Sequence, residues 1–210
     1  MLNQLFFIIS VYIVGAVFSI LLFEGLKFTV RHYISPFFGI GFLSLSVGLL
    51  IIFNVSINLL SILIVLMIFW VLLYYLRYSF FIDRNKGIPL TDHWRYWLTK
   101  DFILLLLLYS IIGSFFVVLG KSYAEPDSTQ FEGIGRFLAN GGTVRDKPLY
   151  LAFLLNGRLL VVGAMHCINR LYGAYSLYAL NSTIVIWFLG LATLLLNDLL
   201  KNNLTKKLKV

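Results

Sequence analysis

The sequence predicts an all-α integral membrane protein, with about five transmembrane helices and two amphipathic interfacial helices on the outer face. Three observations carry this prediction. Hydrophobic residues make up 60 % of the 210 positions and charged residues 12 %, with a mean hydropathy of +0.91, outside the range of a soluble globular domain. Apolar runs long enough to cross a bilayer recur along the chain. One long polar interval, Lys121 to Pro148, interrupts them and holds four of the nine acidic residues, Glu125, Asp127, Glu132 and Asp146. No period of 20–50 residues repeats, so residues 1–210 read as one membrane-embedded domain. Its parts are a four-span scaffold (1–120), an external loop with interfacial helices (121–177), and a last span with a basic tail (178–210).

Leu5 to Phe23 is the first span, and no basic n-region or small-residue cleavage site marks it as a removable signal. Glu24 to Pro36 reads as a loop carrying Lys27, Arg31 and a solvated His32. Phe37 to Phe53 is the second span, with Gly39, Gly41 and Gly48 expected to allow close helix approach. Asn54 to Asn58 is a tight polar turn. Leu59 to Phe81 is the third span, whose Trp70, Tyr74, Tyr75 and Tyr78 thicken toward one end as an interfacial belt does. Asp83 to Lys100 is a basic, aromatic loop at headgroup level that includes His93, and Phe102 to Leu119 is the fourth span. Leu149 to Tyr172 is only moderately apolar, and Tyr178 to Leu196 is the fifth span.

Charge sets the orientation. The formal net charge of +8 reads as positive-inside loop charge, and nucleic acid is set aside as a partner. The loops after spans one and three, with the tail, hold eleven of the seventeen basic residues: Lys27, Arg31, Arg77, Arg84, Lys86, Arg95, Lys100, Lys201, Lys206, Lys207 and Lys209. They share one side if one span lies between the polar interval and the tail. Leu149 to Tyr172 then lies in the outer interface or dips into the membrane without crossing, which suits its Arg158, His166 and Arg170; an Arg at mid-span costs roughly 2.5–3.5 kcal/mol. The expectation is a multi-pass protein of a bacterial cytoplasmic (inner) membrane, N-terminus outside and C-terminus in the cytoplasm. In a six-span alternative, Leu149 to Val162 crosses and the tail lies outside.

Within the polar interval, Pro126-Asp127-Ser128-Thr129-Gln130 reads as a helix start, with Asp127 as N-cap and Gln130 closing a capping box. Phe131, Ile134, Phe137 and Leu138 recur at helical spacing, Glu132 and Arg136 stand four apart as an ion pair, and Gly141-Gly142 stops the helix. Pro148 opens a second helix. Asp127 is a cap on this reading, or a catalytic or metal-binding carboxylate. The adjacent His166 and Cys167 point to different helix faces and lack a third orienting group. Cys167 is the single cysteine, so no intramolecular disulfide forms.

The segments EPDSTQFEGIGRFLANGG, DKPLYLAFLLNGRLL and YALNSTIVIWFLGLATLLL together resemble the first external loop of the GT-C-type glycosyltransferases, polytopic enzymes that take sugars from polyprenyl-phosphate carriers. Asp127, Phe131, Gly141-Gly142, Pro148 and Tyr150 match that family's acidic residue, following aromatic, Gly break and Pro-aromatic entry. The resemblance covers about residues 120 to 198. Four spans precede the loop here, and one follows where the family has many, so the chain is expected to be the N-terminal part of a longer enzyme, to be completed by further membrane subunits, or to be an inactive relic.

The resemblance implies that Asp127 is the base for the acceptor hydroxyl, with Glu125 assisting, or that the two bind Mg²⁺ or Mn²⁺. It implies Arg158 and Arg170 for the carrier phosphate, Tyr150 and His166 for substrate, and a lipid-linked sugar and membrane lipids as partners. The alternative is a non-catalytic polytopic subunit that binds lipid or a partner protein.

Overall fold

A computed structural model describes residues 2–23, 28–80, 126–142, 157–173, 177, 180–181, 183–185, 187–192, 194 and 196. Among these residues the protein is helical without strands. Three helices are long and apolar enough to cross a membrane: α1 (Leu2–Leu22), α2 (Phe28–Ile52) and α3 (Leu59–Phe80). Two shorter ones follow, α4 (Pro126–Ala139) and α5 (Gly157–Leu171), with a further apolar helix at Thr183–Ala192. The expected fourth span, Phe102 to Leu119, lies outside the described residues, as do His93 and the basic tail.

The α1–α2 pair is built on glycine. A methyl group on Gly15 would overlap the Ser35 carbonyl oxygen and stand 2.6 Å from Gly39 N, and one on Gly39 would stand 2.9 Å from the Val11 carbonyl carbon. The two backbones therefore touch, which in a bilayer supplies the packing that hydrophobic burial does not. Polar groups line the same seam: Ser19 and Ser35 hydroxyls are 2.9 Å apart, Ser35 donates to the Arg31 carbonyl at 2.7 Å, and Tyr12 Oη lies 2.6 Å from His32 Nδ1. Rings of Phe18 and Phe42 stack at 3.8 Å, and Phe42 meets Phe69 of α3 edge-on.

This corrects three expectations. The presumed loop Glu24 to Pro36 is helical from Phe28 onward, with Pro36 inside α2. Proline lacks the N–H for the carbonyl four residues back, but a neighbouring helix supports the backbone there, as membrane helices allow. Arg31 and His32 are consequently not solvated; they are 9 % and 5 % exposed. Gly41 has nothing within 4 Å of an added methyl, and Gly48 makes only ordinary contact with Leu160, so close approach belongs to Gly39 alone of the three.

The turn between α2 and α3 forms as expected. Val55 N–H donates to Leu50 O at 2.8 Å and Asn54 N–H to Ile51 O at 3.0 Å, with Asn54 at φ 53°, a Schellman stop. Asn58 then caps α3: Ser61 N–H donates to Asn58 Oδ1 at 2.8 Å while Ser61 Oγ accepts from Asn58 N–H at 3.0 Å.

From Leu59 to Arg77 a helix rises about 27 Å. At that far end Arg77 Nη1 donates to the Leu21 carbonyl at 2.5 Å and the Ile20 carbonyl at 3.3 Å. These are carbonyls of the last turn of α1, which a guanidinium satisfies and whose negative dipole end it offsets. The bundle thus has an Asn3 end and an Arg77 end. Arg77→Met is expected to cost about 1–2 kcal/mol, read as a lower melting midpoint in detergent; an unchanged midpoint would show the α1 terminus to be satisfied without it.

About half of α1 and of α2 is buried, whereas α3 is mostly exposed. Leu60, Leu63, Ile64, Met67, Ile68 and Val71 form its exposed apolar face. Near the Arg77 end, Trp70 stacks on Tyr74 at 5.5 Å.

Candidate functional site

The sequence-predicted site falls on α4 and α5. Helix α4 begins at Pro126, whose fixed φ suits the first helical position, so Asp127 lies inside the first turn and not at the cap where the sequence suggested it. An acidic residue there is favoured by the positive end of the helix dipole. The helix stops as its glycines require. Gly141 has φ 82°, Gly141 N–H donates to Leu138 O at 3.1 Å, and Gly142 N–H donates to Phe137 O at 3.0 Å. Helix α5 ends alike, with Gly173 at φ 70° and its N–H donating to Arg170 O at 2.8 Å.

The two helices cross in direct backbone contact. A methyl on Gly135 would stand 2.5 Å from His166 Cβ and 2.8 Å from Cys167 N. Ile134 and Leu138 of α4 pack with Ala164, Met165 and Ile168 of α5 in the core. One turn from the crossing, Glu132 Oε1 accepts from Arg136 Nη2 at 3.3 Å and from Arg170 Nη2 in a closer contact. Residue 132 opposes 170 and residue 135 opposes 166, so the helices run antiparallel, and the first turn of α4 lies toward the C-terminal end of α5. That end sits at the Asn3 end of the bundle. Asn3 Nδ2 donates to Gly173 O at 3.3 Å, and the Tyr172 ring centroid is 6.2 Å from that of Phe7.

His166 is buried at the crossing. Burial lowers its pKa below the usual imidazole value; Glu132 raises it and Arg170 lowers it further, so the ring is neutral at pH 7. Burial pushes the Cys167 thiol up to about 12, which removes it as a nucleophile. The carboxylate of Glu132, held by guanidiniums from two helices, serves as an organiser and is poorly placed to act as a base.

Of the expected site residues, the structure brings Arg170 and His166 together around Glu132. Asp127 and Arg158 stand in the first turns of α4 and α5, and their side chains lie outside the described residues, as do Glu125 and Tyr150. Among the described residues no three His, Cys, Asp or Glu side chains group as metal ligands. The Glu132–Arg136 pair was legible from its spacing. Its link to Arg170, 38 residues away, had no local signal. Nor did the buried Tyr12–His32 pair, because Pro36 suggested a loop. Compared with protein-family models, curated proteins and solved structures, the chain matches none.

Proposed function

We propose that the chain is a membrane glycosyltransferase of the GT-C type, or part of one, which moves a sugar from a polyprenyl-phosphate carrier to an acceptor at the outer membrane face. The observation that carries this reading is the placement of α4: it holds an acidic first turn at the Asn3 end, away from Arg77 at the other. With basic residues inside, the Asn3 end faces outward. A five-span path is consistent with the connections. α3 ends at the Arg77 end and α4 starts at the Asn3 end, as a five-span path requires. The Thr183–Ala192 helix then runs back, since a methyl on Gly190 would stand 2.6 Å from Tyr33 Cζ, near the start of α2.

In the transfer, Asp127 takes the acceptor hydroxyl proton as the oxygen attacks the anomeric carbon, and Glu125 assists. The bond from that carbon to the phosphate oxygen breaks, and the polyprenyl phosphate leaves with the electron pair. Arg158, in the first turn of α5, stands at the far end of the antiparallel pair from Asp127, about 24 Å along the helices, so it is not assigned to that leaving group. Glu125 and Asp127 are the carboxylates expected to hold a Mg²⁺ or Mn²⁺, but Asp127 stands at the positive end of a helix dipole, so no step is assigned to a metal.

The test is transfer of radiolabelled sugar from polyprenyl-phosphate donors in membranes holding equal amounts of parent and Asp127→Asn protein. Turnover is expected to fall by about 10²–10⁴-fold, the usual share of a general base. Equal turnover would return Asp127 to a purely structural place in its helix. The exposed face of α3 favours a second reading, a non-catalytic subunit that packs on further membrane chains; it predicts no turnover in either protein.

A further inference from the structure

We propose that Arg170, expected from sequence to bind phosphate, is a positioning residue: through Glu132 it fixes the rotation of α4 on α5 and with it the first turn that carries Asp127. The catalytic consequence rests on the transferase reading; the mechanical one does not.

Apolar packing of Ile134 and Leu138 with Ala164, Met165 and Ile168 brings α4 onto α5, and two further contacts set its pose. At Gly135 the helices meet backbone on backbone, with no α4 side chain at the contact. The Gly135 contact sets distance, while Ile134 and Leu138 seat α4 by its apolar face and limit its roll. The second contact, one turn away, joins Glu132 to Arg170 and pins the roll that the apolar packing leaves. Arg170 is suited to the task because its side chain is only 13 % exposed, against 62 % for Arg136, so the surrounding helices hold it in place. It also stands in the last turn of α5, where a cation is favoured by the dipole. Arg136 reaches the same oxygen from within α4 and orients the carboxylate toward the crossing.

Asp127 precedes Glu132 by five residues, about 7.5 Å along the helix axis. A roll of about 20° swings a side chain at the helix surface by about 2 Å. A misplacement of about 1 Å can cost on the order of 10²-fold in rate. Loss of the pair should therefore reach the chemistry although neither partner touches the substrate, and it should lower kcat with KM unchanged.

The experiment uses the full chain in phospholipid nanodiscs, as parent, Arg170→Met and Arg170→Lys. Amide hydrogen exchange over residues 132–139 is read beside sugar transfer. In Arg170→Met, exchange is expected to rise about tenfold, the equivalent of one hydrogen bond to a charged group. Transfer should fall through kcat, and Arg170→Lys should restore most of both. Unchanged exchange in Arg170→Met, or a lysine variant no better than methionine, overturns the proposal. If Arg170→Met does not fold, Glu132→Leu removes the same pair from the other side and is read in the same way. Parent protein that shows no transfer overturns the transferase reading instead, while exchange still decides whether Arg170 fixes α4.

Discussion

Gly39→Ala is expected to lower the melting midpoint by roughly 6–12 °C in detergent, while Gly41→Ala, two residues along the same helix, leaves it unchanged or raises it. The added methyl at 39 meets the backbone of α1 at Val11, and a carbonyl group cannot yield as a flexible side chain would. The helices must part by about an ångström or more, and overpacking of this kind costs about 1–3 kcal/mol. The cost here should reach the top of that range. The Ser19–Ser35 and Tyr12–His32 contacts depend on the same close approach, and opening the seam strains buried polar groups in a region without water. At Gly41 the methyl enters open space, and alanine is the better helix former by about 0.5–1 kcal/mol. Midpoints can be followed by the fraction of monodisperse protein surviving a heating series. If both variants melt together, α1 and α2 are not held by this contact.

The second large effect concerns the α4–α5 crossing. Gly135→Val should drive the two helices apart at His166 and Cys167, and Gly133→Ala should not, because a methyl at 133 meets nothing within 4 Å. The single thiol reports the result. Cys167 is fully buried, and burial pushes its pKa up to about 12. Its folded pKa lies above the unfolded value of 9.0, so its contribution to stability is complete below pH 9 and is lost as the pH rises from there toward 12. Between pH 7 and 8 the folded parent should therefore resist maleimide, while Gly135→Val should label at a rate approaching that of an exposed thiol. A Gly135→Val protein that stays unlabelled would mean that α5 buries Cys167 without help from α4. The same variant should lose sugar transfer if α4 carries the base.

How far such features were legible depends on the range of the forces behind them. Helices α1 and α3 follow from runs of apolar residues, and the α2–α3 turn and the Gly141 stop follow from local backbone chemistry at Asn54, Asn58 and Gly141. Glu132–Arg136 follows from helical spacing. Reading Pro36 as the end of a loop failed because proline breaks helices in water, whereas here α1 packs against the backbone of α2 beside it. That one misplacement made Arg31 a loop charge and His32 a solvated loop residue, when both are buried.

By itself, the sequence determined that the described residues are helical, that three helices are apolar enough to cross a membrane, and where α2 and α4 stop. Those properties depend on the neighbours of each residue along the chain and on the bilayer as solvent. Only the tertiary structure decided that Gly15 and Gly39 touch, that Arg77 closes α1, that α4 lies antiparallel on α5 at the Asn3 end, and that Arg170 binds Glu132. Each of those joins residues on separate helices. A glycine or arginine in an apolar run reads the same whether it faces lipid, a backbone or a carboxylate, and packing alone selects among them.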